Sequence, residues 1–252
     1  TMSGHSKWST IKRSKAASDA RRGQLFTKLA KEIIIAAKKG GGNPGANFHL
    51  RMAVQRAKDH NMPNDSIERS IKKATGDASG QDQMEEVVYE GYGPGGTAVL
   101  LQAVTDNKKR TVADVRSTFT KTGGNMADVG AVIWQFEQKG VIVVAAKPEE
   151  AEEFTLATID AGAEDFETFD STLQIFSSPQ SLEGVRQTLA DQGAEIHSSE
   201  LSMVPKSMVP LDEKTAAQTL KLLDKLEELE DVQRVYSNAD FPETTLQEYR
   251  DG

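Results

Sequence analysis

The sequence predicts a multidomain protein of the α and α+β classes, with an N-terminal three-helix bundle, a middle α+β domain and a ferredoxin-like domain inserted into the middle one. Three observations predict this. The chain has 252 residues, more than one hydrophobic core usually holds. Apolar residues follow a helical period before Gly80 and form strand-like runs after it. The net charge also changes sign at Gly80. Residues 1–80 contain 16 Lys and Arg and 6 Asp and Glu, whereas residues 81–252 contain 14 Lys and Arg and 32 Asp and Glu.

Three amphipathic helices are expected in residues 1–80, preceded by a polar and basic arm over residues 3–18. Apolar residues recur there at three- and four-residue steps, the spacing that places them on one face of a helix. The segment GGGNPG, residues 40–45, should end the first helix, because glycine is costly inside a helix and Pro44 removes a backbone donor. The three apolar stripes run from Leu25 to Ala36, from Leu50 to Ala57 and from Ile67 to Ile71.

Residues 81–137 and 205–252 are predicted to form the middle α+β domain. Two β-rich runs joined by GYGPGG indicate a hairpin, since glycine and proline favour a turn between strands. A helix and a further strand would complete a ββαβ unit. A leucine-rich helix and a strand beyond Pro210 have no sheet of their own, so we expect them to return to this unit. The elements are placed at about Glu86–Tyr92, Thr97–Thr105, Arg110–Lys121, Val129–Phe136, Leu220–Leu229 and Val232–Tyr236.

Residues 138–204 are predicted to form the inserted domain, because their elements follow one another in the order βαββαβ. That order is typical of the ferredoxin-like fold. Its position between the two parts of the middle domain makes it an insertion. The elements are placed at Gly140–Ala146, Pro148–Ala161, Glu164–Phe169, Leu173–Phe176, Leu182–Gln192 and Ala194–Met203.

The composition excludes several classes of function. The chain has no cysteine, which removes disulfides, thiolate metal sites and cysteine nucleophiles, and fits a reducing compartment. The longest apolar stretch, Val141–Ala146, is far shorter than a membrane span. The four histidines fit no metal-ligand spacing, and no catalytic constellation appears. We therefore expect a cytoplasmic protein with no membrane anchor, metal, cofactor or enzymatic activity. An enzyme or small-molecule sensor built on the ferredoxin-like domain is the minor alternative.

The basic N-terminal part has the charge expected of a nucleic-acid-binding module, since an excess of Lys and Arg attracts phosphate. A merely solvated basic surface is the alternative. Trp8, among the lysines of the arm, could stack on a base or wedge into a groove, or could equally pack the arm against the bundle. The candidate contacts are Lys7, Trp8, Lys12, Arg13, Lys15, Arg21, Arg22, Lys28, Arg51, Arg56 and Lys58, and Arg69, Lys72 and Lys73 add a further positive surface.

A second basic cluster lies in the predicted middle domain. Asp106 and Asn107 fit the N-terminal cap of the helix that follows, which places Lys108, Lys109 and Arg110 near its first turn. Cations are unfavourable at that end of a helix. Either phosphate or internal pairing with the acidic C-terminal part should therefore compensate them, and the sequence leaves both open.

Four motifs, in order along the chain, resemble those of the YebC family of probable transcriptional regulators. The resemblance runs from Ser3 to about Phe241 and implies the same three-domain arrangement. It also implies DNA binding, as in bacterial regulators, while relatives that include a mitochondrial branch resemble translational activators acting on ribosomes and messenger RNA. The family motifs carry no established catalytic residues. They are GHSKW at residues 4–8, GGGNP at 40–44, YEGYGPGG at 89–96 and DNKKRT at 106–111.

The leading hypothesis is a non-enzymatic regulator of transcription that binds double-stranded DNA through the basic arm and the helical bundle. The alternative is a ribosome-associated translation factor that binds ribosomal or messenger RNA. The charge pattern cannot separate the two, because both polymers offer phosphate. It also leaves the oligomeric state open.

Overall fold

The structure, a computed structural model, describes Trp8, Ile11 and residues 19–76 and 84–251. Residues 19–76 form three helices, and the apolar stripes of these helices meet in one core to which Leu29, Leu50 and Ile67 contribute. Burial of these stripes holds the helices together, since helices of this length are marginal alone. They are α1 (Asp19–Gly40), α2 (Phe48–Asp59) and α3 (Asn64–Thr75).

The turn between α1 and α2 depends on the buried side chain of Asn47. Its Nδ2 donates to the carbonyls of Ala36 and Gly41, both at 2.8 Å, and its Oδ1 accepts from the backbone N–H of Leu50. Asn47 thus caps α2 while it ties down the end of α1. A Cβ at Gly40 would lie 2.6 Å from Asn47 Nδ2, so this close approach requires glycine.

The rest of the described chain alternates between strands and helices. In chain order these are β1 (Glu85–Tyr92), β2 (Ala98–Thr105), α4 (Lys108–Lys121), β3 (Asn125–Ala127), β4 (Phe136–Ala145), α5 (Pro148–Ile159), β5 (Ala163–Phe169), β6 (Thr172–Ser177), α6 (Leu182–Asp191), β7 (Ile196–Pro205), β8 (Val209–Pro210), α7 (Glu213–Glu227), β9 (Val232–Ser237), β10 (Ala239–Asp240) and α8 (Glu243–Asp251).

The first sheet has four antiparallel strands in the order β3-β1-β2-β9. Helices α4 and α7 contribute to the same core as its strands, and Val99, Phe119 and Leu222 are fully buried there. Strand β9 comes from the C-terminal part of the chain and pairs with β2. The sheet is therefore completed by two segments that lie far apart in the sequence.

The second sheet is formed by residues between β3 and α7, and its four antiparallel strands have the order β5-β6-β4-β7. Apolar residues of α5 and α6 share a core with these strands, in which Ile142, Ile175 and Leu189 are buried. Two short strands, β8 and β10, pair in parallel beside the start of α7. Each sheet thus has its own apolar core.

The predicted mixed α and β class is confirmed, and both four-stranded sheets are antiparallel. The strand predicted at Val129–Phe136 is wrong. Residues 128–135 form a loop that ends in a short 3-10 turn, Ile133–Gln135, and β4 begins only at Phe136. Gly130 has a φ of 89°, which a strand does not adopt. Helix α8 was not predicted from the sequence. None of the helices within the described ranges is long and apolar enough to cross a membrane.

Candidate nucleic-acid interface

Much of the predicted basic arm lies outside the residues that the structure describes. Trp8 and Ile11 are described, and their side chains are 1% and 3% exposed in the core that the first sheet shares with α4 and α7. This burial favours the packing alternative for Trp8, because a buried ring offers no face to a base. The core it joins is that of the first sheet and not that of the bundle. The predicted contacts outside the described part are Lys7, Lys12, Arg13 and Lys15, and the side chain of Arg21 is likewise not described, whereas Arg22 on α1 is exposed.

Arg56, a predicted phosphate contact, is engaged within the chain in a largely buried ion network. Its guanidinium pairs with Glu32 on α1 and, at 3.1 Å, with Glu200 on β7. Arg234 on β9 bridges the same two carboxylates, at 2.7 Å to Glu32 and 3.5 Å to Glu200. Two cations and two anions from the bundle and both sheets thus compensate one another. This arrangement disfavours a phosphate contact at Arg56.

The charge state of this network follows from the balance of burial and pairing. Burial raises the pKa of Glu32, but the guanidiniums of Arg234 and Arg56 more than offset it, so its pKa lies below the usual value. Burial lowers the pKa of Arg234, yet the carboxylates of Glu32 and Glu200 outweigh it and raise this pKa above the ordinary range. Glu32 and Arg234 are therefore both ionised at neutral pH.

Two further predicted contacts of the bundle are also engaged within the chain. Arg51 forms an ion pair with Glu183 on α6, donates to the carbonyl of Pro44 at 2.7 Å and lies over the Phe48 ring. The ammonium of Lys28 donates to a backbone carbonyl at the end of α7. Such contacts fix the position of the bundle against the rest of the molecule. They make Arg51 and Lys28 poor candidates for a polyanion, contrary to the expectation from charge alone.

The cations that remain open to solvent lie mainly on α3. Arg69, Lys72 and Lys73 are exposed and occupy positions i, i+3 and i+4, which places them on one face of the helix. Arg69 donates only to the carbonyl of Asp65 in its own helix, at 3.3 Å. Lys58, at the end of α2, is exposed as well. Within the described ranges no carboxylate pairs with any of these four cations. They are therefore the part of the described bundle best placed to meet phosphate.

The start of α4 shows how the second basic cluster is compensated. Asn107 caps the helix as predicted, with its Oδ1 accepting from the backbone N–H of Arg110 at 3.1 Å. Lys108 forms an ion pair with Glu85 on β1, and Arg110 pairs with two carboxylates. Internal pairing therefore accounts for these two cations. Lys109 is exposed and has no ion pair to any residue that the structure describes.

Asp231 is a buried hydrogen-bond acceptor that contacts residues of both α1 and α4. Its side chain is 6% exposed and accepts from Arg110 at 2.8 Å, from the Thr111 hydroxyl at 2.8 Å and from the Lys31 ammonium at 3.1 Å. Burial raises the pKa of Asp231, but the hydrogen bonds from Arg110, Thr111 and Lys31 lower it below the usual value overall. Asp106, the second partner of Arg110, is much more exposed. Asp231 thus joins α1 of the bundle to α4 through one buried carboxylate.

The sequence matches two family models that together cover most of the chain. The model described as "TACO1/YebC protein N-terminal domain" matches residues 6–77, and the one described as "TACO1/YebC second and third domain" matches residues 84–239. The chain belongs to the TACO1/YebC family. The resemblance drawn from the four motifs is confirmed.

Two relatives of this member of the TACO1/YebC family have names that describe regulation, and a third similar protein has a solved structure. A probable transcriptional regulatory protein of Dehalococcoides mccartyi is 54% identical over 248 residues, 98% of each chain. One from Dictyoglomus turgidum is 48% identical over 98% of this chain and 99% of its own. The crystal structure of a conserved hypothetical protein from Aquifex aeolicus has a TM-score of 0.81 and 46% identity, covering 89% of this chain and 93% of that one.

The YEGYGPGG motif of this TACO1/YebC chain contains a residue whose role was not predicted. Glu90 is 3% exposed, and its carboxylate accepts from the backbone N–H groups of Gly130, Val132 and Ile133 at 2.6, 2.7 and 2.8 Å. Burial raises the pKa of Glu90, but these three hydrogen bonds outweigh it and lower the pKa. A glutamate inside a predicted strand was the only signal that the sequence offered.

We expect acid to destabilise this TACO1/YebC protein through three carboxylates, Glu32, Glu90 and Asp231. Each has a pKa below its usual value in the folded state. Their stabilising contribution is therefore complete above the unfolded pKa of about 4 and is lost as the pH falls through the folded values. The melting temperature followed by circular dichroism should change little between about pH 6 and 8 and fall steeply below about pH 4. A constant melting temperature down to about pH 3 would contradict this.

Proposed function

We propose that this protein is a non-enzymatic, cytoplasmic regulatory protein that binds nucleic acid, with double-stranded DNA as the favoured target. The observation that carries the proposal is the row of exposed cations on α3, which have no ion pair among the described residues and lie in a part of the chain with a large excess of positive charge. The names of the similar proteins, probable transcriptional regulatory proteins, support a regulatory role. Nothing in the described site resembles a catalytic constellation.

The proposed domain organisation assigns this binding to one part of the chain. Residues 1–80 form the basic arm and bundle, residues 81–137 and 205–252 the middle domain, and residues 138–204 a ferredoxin-like insertion. Pairing of β9 with β2 and the order β5-β6-β4-β7 support this division. In this proposal most phosphate contacts belong to the first domain, because the other two domains together have a net negative charge.

Binding in this scheme is driven by the release of counterions from the phosphate backbone. Each neutralised phosphate contributes about −0.9 to the slope of log affinity against log salt on duplex DNA. If the arm and the bundle together neutralise about five phosphates, the slope should be about −4 to −5. In the cluster of Lys108, Lys109 and Arg110, the exposed Lys109 has no ion pair among the described residues and would add a separate phosphate contact.

Charge removal on the bundle tests the proposal. In the full chain, replacing four exposed cations by glutamine should flatten the salt slope for a labelled DNA duplex by about 2 to 3, since the cations of the arm continue to contribute. Fluorescence anisotropy measures the affinity. The melting temperature should not change, because these side chains form no ion pairs in the described ranges. The substitutions are Lys58→Gln, Arg69→Gln, Lys72→Gln and Lys73→Gln.

A control variant removes the same charge from the acidic part of the chain. It should leave both the affinity and the salt slope unchanged. Equal weakening by both variants would mean that only the net charge matters, and the bundle would not be the binding site. The control substitutions, all at exposed lysines, are Lys121→Gln, Lys147→Gln, Lys214→Gln and Lys221→Gln.

The ribosome-associated alternative is decided by where the protein is found in a cell lysate. After nuclease removal of DNA, sedimentation through a sucrose gradient separates free protein from ribosomal subunits. A DNA-binding regulator should remain at the top of the gradient. Persistent cofractionation with ribosomal subunits, reduced in the variant with the four bundle substitutions, would assign the same cations to ribosomal or messenger RNA and overturn the DNA assignment.

A further inference from the structure

The loop between β3 and β4 presents three large apolar side chains to solvent. Val129 is 92% exposed, Trp134 66% and Ile133 39%. The other tryptophan of the chain, Trp8, is buried. Exposed apolar patches on a protein surface often mark binding sites.

This loop is held in a fixed conformation by a buried charge. The Glu90 carboxylate accepts from three of its backbone N–H groups, those of Gly130, Val132 and Ile133. Burying a carboxylate is costly unless such hydrogen bonds compensate it. The chain therefore uses a buried anion to position a loop whose own apolar side chains remain outside, which is the arrangement expected of a preorganised binding element.

The Trp134 ring is oriented, and its polar edge is already occupied. Its Nε1–H donates to the carbonyl of Ala131 at 3.0 Å, so the ring offers its aromatic face to an incoming group. The exposed Lys206 ammonium donates to the carbonyl of Trp134 itself at 2.9 Å. Among the described residues no carboxylate pairs with Lys206. The residue that carries this exposed ring therefore also binds, through its backbone carbonyl, a cation whose charge is not compensated by a described carboxylate.

We propose that Trp134 stacks on an unpaired nucleobase of a single-stranded nucleic acid and that Lys206 contacts a neighbouring phosphate. An aromatic face beside a cation is the combination that binds single strands, because every base has a stacking face and every nucleotide a phosphate. A paired base in a duplex is already stacked on its neighbours, so its face is not available to the Trp134 ring. The inference rests on the proposed function in that nucleic acid is the polymer bound, and it adds a second contact selective for opened strands.

Binding of labelled oligonucleotides to the full chain tests the site. Oligo(dT), oligo(rU) and a DNA duplex of equal length are compared by fluorescence anisotropy. Trp134→Ala should weaken single-strand binding about tenfold and leave duplex binding unchanged. Leu156→Ala, which removes an equally exposed apolar side chain (64%) from α5, is the control and should change neither. Loss for oligo(dT) alone or oligo(rU) alone supports the site and shows which of these two polymers it accepts.

Tryptophan fluorescence provides an independent readout, since one of the two tryptophans is exposed and the other buried. Either oligonucleotide should quench the emission of the wild-type protein. Trp134→Phe should abolish this quenching, whereas Trp8→Phe should retain it. Quenching that persists in Trp134→Phe would place the bound base elsewhere and overturn the inference.

Further outcomes distinguish a failure of this inference from a failure of the proposed function. Unchanged single-strand affinity in Trp134→Ala, or an equal loss for the duplex, overturns the inference even if duplex binding confirms the proposed function. A mass halved by Trp134→Ala in sedimentation equilibrium also overturns it, because the loop would then be a surface for self-association. Absence of binding to every oligonucleotide overturns both proposals.

Discussion

Replacing Glu32 by alanine should lower the free energy of unfolding by about 3–5 kcal/mol. The substitution leaves Arg56 and Arg234 facing Glu200 alone in a largely buried site, and an uncompensated buried charge costs far more than an exposed one. Urea denaturation followed by circular dichroism measures the change. Because the network joins the bundle to both sheets, the loss should appear in the unfolding of the whole chain.

A matched substitution on the same bundle isolates the effect of burial. Glu68→Ala removes the same side chain from an exposed position on α3 and should barely move the denaturation midpoint. If Glu32→Ala were as mild as Glu68→Ala, the buried network would contribute nothing to the cohesion of the bundle and the two sheets. That result would also remove the reason for assigning Arg56 to cohesion and not to phosphate.

Replacing Asp231 by asparagine should lower the free energy of unfolding by about 2–3 kcal/mol. The side chain keeps its shape but loses the charge that receives hydrogen bonds from Lys31, Arg110 and Thr111, and hydrogen bonds to charged groups are the stronger ones. Urea denaturation again measures the change. The acid sensitivity of the variant should also decrease, since one carboxylate with a lowered pKa has been removed.

Asp106 provides a control with the same arginine as partner. It pairs with Arg110 at 2.9 Å, but both side chains are 47% exposed. Asp106→Asn should leave the midpoint almost unchanged, because exposed ion pairs contribute little. Equal losses of stability in the two variants would show that the loss comes from the pairing with Arg110 and not from the buried position of Asp231.

The sequence was informative where local patterns decide the structure. Apolar periodicity predicted the helices from α1 to α3, and turn residues predicted the hairpin of β1 and β2. The strand predicted at Val129–Phe136 failed because its β-branched residues occur in a loop that is positioned by Glu90, about 40 residues earlier in the chain. A long-range contact overrode local preference there, and no local pattern could reveal it.

The candidate site shows the same division between local and long-range information. Counts of charged residues predict which part of the chain is basic, but they do not show that, among the described residues, Arg51 is paired and Lys72 is not. In the structure Arg51 meets Glu183, 132 residues further along, whereas Lys72 remains in solvent. Which cations are open to phosphate is therefore a property of the tertiary structure.

The pairing of β9 with β2 has a consequence for the order in which the chain folds as it is synthesised. The backbone N–H of Ala98, at the start of β2, donates to the side chain of Asn238, 140 residues later. The first sheet can be completed only when the chain has left the ribosome as far as β9, whereas the strands and helices of the second sheet emerge one after another before that point. Until β9 is available, the edge of β2 that it will cover remains unpaired. An unpaired strand edge can pair with a wrong partner.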